Sequence, residues 1–425
     1  MKKIHCDNPD NIHGLLNRDT GEQCNVDGAV AAILADVKTR GDAAVFEYTR
    51  LLDGCEPDAL QVGAEETEAA LRLVDKEFLE ILRQASENIR AYHEKQRRSG
   101  FVIADKAGVV LGQRVMPLNR VGIYVPGGTA SYPSTVLMNA IPAKLAGVRE
   151  LIMTTPAGKD GKIKPEILAA AYVAGVDKVF KIGGAQAVAA LAYGTAAVPR
   201  VDKIVGPGNI YVATAKRMVF GLVDIDMIAG PSEILIIADE SANPDFVAMD
   251  LLSQAEHDKL AAPFLVTASE AFADKVDAAI ARFLPELPRR EIAEYSVTYN
   301  GAVILTDSIE NAIKISNAIA PEHLELCLRE PFALLPLVTN AGSVFLGNYA
   351  PEALGDYFAG PNHTLPTGGT ARFSSPLSVD DFIKKSSFLY YEKSALERVY
   401  GQIDAFARRE GLDAHANSVS IRFKV

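Results

Sequence analysis

The stretch with the clearest capacity for chemistry is Ala320-Pro321-Glu322-His323-Leu324, where a carboxylate and an imidazole stand side by side after a proline. Pro321 restricts the backbone, so we expect Glu322 and His323 to open a secondary-structure element that holds their rotamers. Histidine titrates near neutral pH, and burial can raise the pKa of a glutamate towards the same range. The pair could therefore move two protons in separate steps, although the same dipeptide also occurs as a simple capping or solvated pair.

A second candidate set lies on a helix that Asn243-Pro244 is expected to begin. Gln254 and His257 are three positions apart on it, so we expect them to share a face. An amide oxygen and an imidazole nitrogen at this spacing can hold one metal ion. The same spacing is also typical of a polar helix face without an ion, and these residues alone do not decide between the two.

Residues 355–369 form a long loop-rich stretch, which is often functional, and it contains Asp356 and His363 as candidates for a further ligand. Histidine is rare in this chain, with only seven among 425 residues. Four of the seven fall in the stretches that could carry chemistry, namely His257, His323, His363 and His415.

Composition excludes several classes of protein. The formal net charge is −11 and the sequence pI is about 5.3, so nucleic acid is not an expected partner. The four cysteines show no C-x-x-C spacing, which argues against a disulfide framework or a thiolate metal site and favours a reducing cytoplasm. The N-terminus is polar and no apolar run could span a bilayer, so we expect neither secretion nor membrane insertion.

The elements that must position these residues follow an α/β plan. Between about 121 and 238 the sequence repeats a short apolar strand, a glycine-rich turn and an alanine-rich helix closed by glycine, which predicts β-α-β units. Three of the strand exits carry unusual glycine-rich turns, at 124–128, 182–186 and 206–211. Such exits lie along one edge of a doubly wound sheet, where helix N-termini can receive anions. They predict a nucleotide or phosphate site, although no G-x-G-x-x-G is present and each turn could be a simple connector.

Further strands at 262–267, 301–305, 324–328 and 342–346 predict a second sheet, and the tail from 378 is mostly helical by pattern. We therefore predict an α/β protein of two Rossmann-like doubly wound sheet domains, with a small N-terminal segment and a small helical C-terminal domain. The predicted boundaries are 1–20 for the N-terminal segment, 21–122 with 232–377 for the first α/β domain, 123–231 for the second, and 378–425 for the C-terminal domain.

Taken together, these segments closely resemble the histidinol dehydrogenase family over nearly the whole chain, with no departure at a position that the family uses for chemistry. The matching segments are Val121-Gly122-Ile123-Tyr124-Val125-Pro126-Gly127-Gly128, Gly183-Gly184-Ala185-Gln186-Ala187, Val205-Gly206-Pro207-Gly208-Asn209, Ala229-Gly230-Pro231-Ser232-Glu233, Leu252-Ser253-Gln254-Ala255-Glu256-His257, Pro321-Glu322-His323-Leu324-Glu325, 357–364 and Glu410-Gly411-Leu412-Asp413-Ala414-His415.

The resemblance implies one zinc ion per subunit, with the amine and imidazole of L-histidinol on the metal. The implied zinc ligands are Gln254, His257, Asp356 and His415. The implied substrate contacts are these four residues together with Ser232, His323, His363 and Glu410. Tyr124, Gln186 and Asn209 match the family's NAD contacts, at the three strand exits identified above. Manganese or cobalt could also occupy a nitrogen and oxygen site of this kind.

The implied reaction is the four-electron oxidation of L-histidinol through L-histidinal to L-histidine, with two NAD+ reduced. His323 would accept the proton of the alcohol, and Glu322 would activate the water that attacks the aldehyde. The resemblance also implies a homodimer in which the C-terminal segment reaches the neighbouring subunit, so that Glu410 and His415 complete its site.

Two alternatives stay open at the level of sequence. One is a related dehydrogenase that oxidises a sulfonated diol, against which Asp356 and Glu410 suit a cationic substrate better than an anionic one. The other is a zinc- and nucleotide-binding relative without turnover, for which the pair Glu322-His323 would have no use.

Overall fold

A computed structural model describes residues 1–8, 12, 23–127 and 131–424. The chain forms two compact units, one of Met1–Gln96 with Leu118–Phe382 and one of Arg97–Pro117 with Ile383–Val425. The first unit contains two parallel sheets with helices packed on them, and the second contains a small antiparallel sheet and short helices.

Within the described residues the strands are, in chain order, β1 (Lys2–His5), β2 (Phe101–Ile103), β3 (Val109–Pro117), β4 (Arg120–Tyr124), β5 (Glu150–Thr155), β6 (Lys178–Lys181), β7 (Lys203–Val205), β8 (Asp224–Ile225), β9 (Glu233–Ala238), β10 (Ala262–Thr267), β11 (Ala302–Leu305), β12 (His323–Cys327), β13 (Ser343–Leu346) and β14 (Ile383–Tyr391).

The α-helices of the same residues are α1 (Gln23–Arg40), α2 (Asp42–Tyr48), α3 (Ala64–Leu73), α4 (Lys76–His93), α5 (Pro133–Ala146), α6 (Pro165–Ala174), α7 (Gly184–Tyr193), α8 (Ile210–Val219), α9 (Pro244–Ala255), α10 (Glu270–Phe283), α11 (Arg290–Tyr299), α12 (Ile309–Ile319), α13 (Pro331–Leu334), α14 (Glu352–Tyr357), α15 (Lys393–Glu397), α16 (Tyr400–Arg409) and α17 (Asp413–Ser420).

The larger parallel sheet has the strand order β1-β11-β10-β9-β12-β13. Strands β9 and β12 lie side by side in its interior, and every residue of both is buried. Parallel strands covered on both faces are normally continuous apolar runs, so polar residues in them call for an explanation. Glu233 and His323 are such exceptions, since each is the first residue of its strand and they lie at the same edge of the sheet. This edge, formed by the amino ends of the strands, holds the predicted acid/base pair.

The smaller parallel sheet has the order β6-β5-β4-β7-β8. Strands β4, β5 and β6 are neighbours in chain order on one side of the sheet. The next strand, β7, pairs with the opposite side of β4, so the direction of winding reverses there. Ligands of doubly wound sheets bind at such a reversal, outside the carboxyl ends of the strands. The turns that follow β4 and β7 flank this point, so two of the three predicted glycine-rich exits stand on either side of it.

The parallel sheets agree with the predicted fold class, but two of its parts need correction. The predicted small helical C-terminal domain also contains β14, which pairs antiparallel with β3 along its whole length. Ile383, Phe388 and Tyr390 are residue types that favour strands, and the partner strand lies more than 250 positions earlier, beyond the reach of local pattern. The predicted separate N-terminal segment contributes β1 as an edge strand of the larger sheet, while residues 9–11 and 13–20 of it lie outside the described residues. The domain boundaries themselves stay predictions.

Candidate functional site

The approach to the acid/base pair is fixed by the end of α12. Ala320 has a φ of +52°, which among the described residues makes it the one non-glycine residue with positive φ. A fully buried alanine in this left-handed conformation carries local strain, and such strain is often found beside functional sites. The chain then reverses through Pro321 into β12, so Glu322 and His323 open a strand, as the proline predicts.

One residue of the neighbouring strand holds both members of the pair. The backbone N–H of Glu233 donates to Glu322 Oε2 at 2.9 Å, and the backbone carbonyl of Glu233 lies 3.0 Å from His323 Nδ1. The Glu233 side chain is itself held, because its Oε1 accepts a hydrogen bond from the backbone of Gly368 at 2.8 Å. A single backbone unit of β9 therefore sets the orientation of the carboxylate and of the imidazole.

These contacts assign the histidine tautomer. A carbonyl oxygen only accepts, so His323 Nδ1 carries the proton and the approach of Gln254 Nε2 at 3.3 Å is not a hydrogen bond. His323 Nε2 is buried, has no hydrogen-bond partner among the described residues, and lies 3.9 Å from Asp356 Oδ1. The basic nitrogen therefore faces the region around Asp356, where a substrate hydroxyl would have to sit.

A cluster of possible metal ligands occupies that region. Ligand atoms of His257, Glu352 and Asp356 all lie within 4.8 Å of one another. Gln254 is almost fully buried, and its Oε1 has no hydrogen-bond partner among the residues that the structure describes. A buried amide oxygen left without a donor is costly unless something absent from the polypeptide satisfies it. Imidazole, carboxylate and amide donors together suit zinc, so the residues present fit the predicted metal.

Glu352 is the member of this cluster that sequence reasoning missed. It lies one turn before Asp356 in α14, so the two side chains share a face of the helix. The i, i+4 spacing of two acidic residues was a usable signal, but we had assigned Asp356 to a loop, where that spacing has no such meaning. Glu352 Oε2 accepts a hydrogen bond from Ser253 Oγ at 2.8 Å, which links it to α9.

The electrostatics of the site favour a bound cation. Burial lowers the pKa of an imidazole, but the carboxylates of Glu322, Asp356 and Glu352 outweigh it and raise the pKa of His323 to about 10. A cation bound among these carboxylates would lower the pKa of His323 again, and this is the condition in which Nε2 can act as a base. Burial raises the pKa of Glu352 to about 8. For Asp356 burial acts in the same direction, yet the neighbouring imidazoles of His323 and His363 hold its pKa below the usual value. A metal ion or an ammonium group would relieve this concentration of buried acidic groups.

The other predicted substrate and metal residues are placed as follows. His363 Nδ1 lies 3.1 Å from the backbone oxygen of Asp356 and 3.8 Å from its Oδ1, so it belongs to the cluster. Ser232 immediately precedes β9 and accepts a backbone hydrogen bond from Ala262. Glu410 and His415 belong to the second unit, where Glu410 follows α16, His415 lies in α17 and both are exposed.

The predicted helix around Gln254 and His257 needs a small correction. Asn243 caps it as expected, with its Oδ1 accepting from the backbone N–H of Asp245 at 2.9 Å. The helix ends at Ala255, however, and His257 lies in the following turn, where its N–H donates to the carbonyl of Gln254. The turn brings the imidazole of His257 to Glu352 and Asp356, while the amide of Gln254 approaches His323.

Two of the three predicted cofactor residues, Tyr124 and Asn209, line a cavity of about 1980 Å³ in the first unit. The third, Gln186, is fully buried and is not among the lining residues. Gly206 lies beside Tyr124 with a φ of +106°, and a Cβ at this position would stand 2.1 Å from the Tyr124 carbonyl oxygen. The close approach of these two turns therefore requires glycine. Gly128, part of the first predicted turn, lies outside the described residues.

A buried ion pair supports the turn after β7. Lys216 Nζ contacts Asp226 and donates to the carbonyl of Gly206 at 2.9 Å, while Asp226 Oδ2 accepts from the Gly206 N–H at 2.7 Å. Both side chains are at most 2% exposed. The next residue, Arg217, makes an exposed pair with Asp27 instead.

We expect Lys216→Met to lower the free energy of unfolding by about 3–5 kcal/mol, because it leaves Asp226 buried without its partner. Arg217→Met is the matched control on the same helix, with an expected loss of about 0–1 kcal/mol for an exposed pair. Urea unfolding of both variants measures the difference, and equal midpoints would contradict the structural role of Lys216.

No helix in the described part of the chain is both long and apolar enough to cross a membrane.

Comparison with known proteins gives a consistent result. The sequence model of the family described as "Histidinol dehydrogenase" matches residues 16–423. The chain is 55% identical over 413 residues to histidinol dehydrogenase of Clostridium acetobutylicum, covering 97% of this chain and 96% of that protein. It is 58% identical over 401 residues to the enzyme of Syntrophotalea carbinolica, covering 94% and 93%. The crystal structure of histidinol dehydrogenase from Elizabethkingia anophelis superposes with a TM-score of 0.94 at 39% identity, covering 100% of this chain and 98% of that one.

Proposed function

The chain belongs to the histidinol dehydrogenase family, and we propose that Glu322 and His323 carry out the proton transfers of its reaction. As a member of this family it is an oxidoreductase of histidine biosynthesis that oxidises histidinol to histidine, with NAD and zinc as the family's cofactors. The main support for this assignment is that the backbone of Glu233 contacts both residues, Glu322 through its N–H and His323 through its carbonyl. These two contacts orient His323 Nε2 towards the ligand cluster and keep Glu322 next to the imidazole.

The reaction has two oxidations at one carbon. In the first, the alcohol loses a hydride to NAD+ and its hydroxyl proton to His323 Nε2, which gives the aldehyde. In the second, water adds to the aldehyde with loss of a proton to Glu322, and the resulting hydrate loses a hydride to a second NAD+. Atoms and electrons balance as one histidinol, one water and two NAD+ giving histidine, two NADH and the released protons. Two adjacent groups suit two proton events.

The metal site that we propose contains Gln254, His257 and Asp356 of one subunit and His415 of its partner, with one zinc ion per subunit. Zinc, when bound, would hold the amine and imidazole nitrogens of histidinol and so position its hydroxyl. The support from this chain is the unpartnered Gln254 Oε1 and the convergence of His257 with Asp356. We also propose His363 and Ser232 as substrate contacts. His363 lies against Asp356, which supports its assignment, and Glu352 supplies a further carboxylate at the cluster.

A sulfonated diol is the less favourable substrate for this site. The side chains that face His323 Nε2 are the carboxylates of Asp356 and Glu352, which would repel a sulfonate and attract an ammonium group. A binding protein without turnover would have no use for a positioned imidazole with an unpartnered basic nitrogen. The geometry therefore favours oxidation of a cationic amino alcohol.

The test of the function is the amount of NADH formed per histidinol consumed, run to completion with zinc and excess NAD+. Two NADH per histidinol with histidine as product is the expected result. One NADH, or none, would contradict the four-electron reaction, and NADH formation from a sulfonated diol in place of histidinol would favour the alternative.

We also propose a homodimer with shared sites, in which Glu410 and His415 serve the neighbouring subunit. The second unit exposes large apolar side chains on its sheet and helices, which a partner subunit could cover. They include Phe101 (53% exposed), Val102 (65%), Leu389 (73%) and Phe406 (69%).

Subunit mixing tests this arrangement. Glu322→Gln and His415→Ala should each form no histidine as homodimers, because each removes from both sites a group that the complete reaction needs. After mixed refolding, part of the activity should return, since one site of every heterodimer combines the intact Glu322 of one subunit with the intact His415 of the other. A mixture that stays inactive while heterodimers form would show that each subunit completes its own site.

A further inference from the structure

Asp53 reaches the proposed cofactor cavity from a part of the chain that the sequence analysis did not connect with it. It is the last residue of a π-helical turn, Thr49–Asp53, and lies 130 positions before the strand exit that it contacts. Its Oδ2 accepts hydrogen bonds from the backbone N–H of Gly183 at 3.0 Å and from Gln186 Nε2 at 3.4 Å. A carboxylate of the chain thus occupies the N-terminus of α7.

Two N–H groups at the start of α7 are consequently already used by the protein itself. The N–H of Gly183 donates to Asp53, and the N–H of Gly184 donates to the hydroxyl of Tyr124 at 3.1 Å. A helix N-terminus binds anions through such free N–H groups. A phosphate that approached these two N–H groups would have to displace two protein acceptors and approach a negative charge, so a dinucleotide phosphate is disfavoured there.

The other carboxylate oxygen of Asp53, Oδ1, can still accept hydrogen bonds. No residue in the described part of the chain donates to Oδ1, and Asp53 lines the same cavity as Tyr124 and Asn209. Gly183 permits this position, because a Cβ there would lie 2.7 Å from Oδ1. Burial raises the pKa of Asp53 while the bonds from Gly183 and Gln186 lower it. A partly buried carboxylate oxygen that still needs donors is a good partner for hydroxyl groups.

We propose that Asp53 determines the cofactor preference: its free oxygen accepts a hydrogen bond from the adenosine ribose hydroxyls of NAD+ and excludes the 2′-phosphate of NADP+. This inference rests on the proposed cofactor site. Carboxylates recognise the ribose diol in other dinucleotide-binding sheets by the same chemistry, since a hydroxyl donates whereas a phosphate brings like charge. The carboxylate arrives here from a π-helical turn outside the parallel sheet, so the position could not be found by counting residues from a glycine-rich motif.

The cavity has other acidic residues, and one of them provides a matched control. Asp160 lines the same cavity but is exposed, and its Oδ1 accepts only from the backbone of Lys162 at 3.2 Å. Asp53→Asn and Asp160→Asn make the same change of charge in the same wall. Only the first changes a carboxylate held at the N-terminus of α7.

The experiment is isothermal titration calorimetry of NADH and NADPH with the zinc-loaded, full-length protein and its variants. We expect Asp53→Asn to weaken NADH and strengthen NADPH, so that the ratio of the two dissociation constants changes by about tenfold or more. Asp160→Asn should leave the ratio within about twofold. Asp53→Ser is the second variant, because serine keeps an acceptor for the Gly183 N–H while it removes the charge.

The possible results distinguish a failure of the Asp53 proposal from a failure of the proposed cofactor cavity. An unchanged ratio in both Asp53 variants, or an equal loss of both cofactors, would overturn the inference and leave Asp53 with a purely structural role at α7. Tyr124→Ala and Asn209→Ala test the site itself. If neither weakens NADH binding, the proposed cofactor cavity is wrong, whatever the Asp53 variants do.

Discussion

Replacing His323 with asparagine should slow the first oxidation of histidinol by about 10²–10⁴-fold, the range over which a positioned general base acts. The physical reason is that Nε2 is the unpartnered basic atom of the imidazole, held in place by the bond between Nδ1 and the Glu233 carbonyl. Asparagine can keep a donor for that carbonyl but offers no base. Stopped-flow measurement of NADH formation with histidinol gives the rate of the first hydride transfer.

Because we propose that His323 serves the alcohol step and Glu322 the aldehyde step, the two variants should differ in which oxidation they lose. With histidinal supplied directly, His323→Asn should retain more of its activity than it does with histidinol, whereas Glu322→Gln should lose the aldehyde step and still form about one NADH per site from histidinol. His5→Asn, at an exposed histidine of β1, is the control. If both variants lost both oxidations to the same extent, the separate roles of the two residues would be wrong.

Replacing Asp356 with asparagine should weaken zinc binding by more than about 100-fold, the upper end of what removing a group that merely supports a ligand usually costs. Asp356 is the carboxylate with the lowered pKa, and it is one corner of the cluster with His257 and Glu352. Losing it removes a proposed ligand and one of the negative charges that a metal would neutralise. Equilibrium dialysis with zinc measures the change directly.

A second readout does not depend on turnover. Zinc at about 100 times its dissociation constant should stabilise the wild-type fold by about 2.7 kcal/mol, and this gain should vanish in Asp356→Asn. Asp245→Asn, at an exposed pair with Arg282, is the control for a change of charge. Glu352→Gln decides whether that carboxylate is a ligand: a loss as large as that of Asp356→Asn would assign it to the metal, and unchanged dialysis would leave it with the substrate. Unchanged zinc binding in Asp356→Asn itself would mean that the metal lies elsewhere.

Comparison of the predicted and observed elements explains which parts of the fold could be read from sequence. The predicted pattern of a helix closed by glycine is confirmed at α6 (Pro165–Ala174), because proline at its start and Gly175 after its end are local signals. β14 does not follow from local pattern, because it is a strand only through its pairing with β3. The second half of α14 falls in the stretch 355–369 that the sequence predicts as a loop, and this conceals the pairing of Glu352 with Asp356.

Local sequence is enough to predict which reactive groups this protein has and where they lie along the chain. Glu322 and His323 are adjacent, the proline before them predicts the start of an element, and the glycines after β4, β6 and β7 predict turns that admit a ligand. These are properties of neighbouring residues, and backbone sterics act over that distance.

The orientation of these groups depends on tertiary packing, and so does the set of distant residues that join them. The Glu233 backbone fixes the tautomer of His323 because β9 and β12 pair in one particular register. Asp53 reaches α7 because helices packed on the smaller sheet bring residues 130 positions apart into hydrogen-bonding distance. Register and packing depend on the burial of whole faces, and no spacing within a local stretch of sequence encodes them.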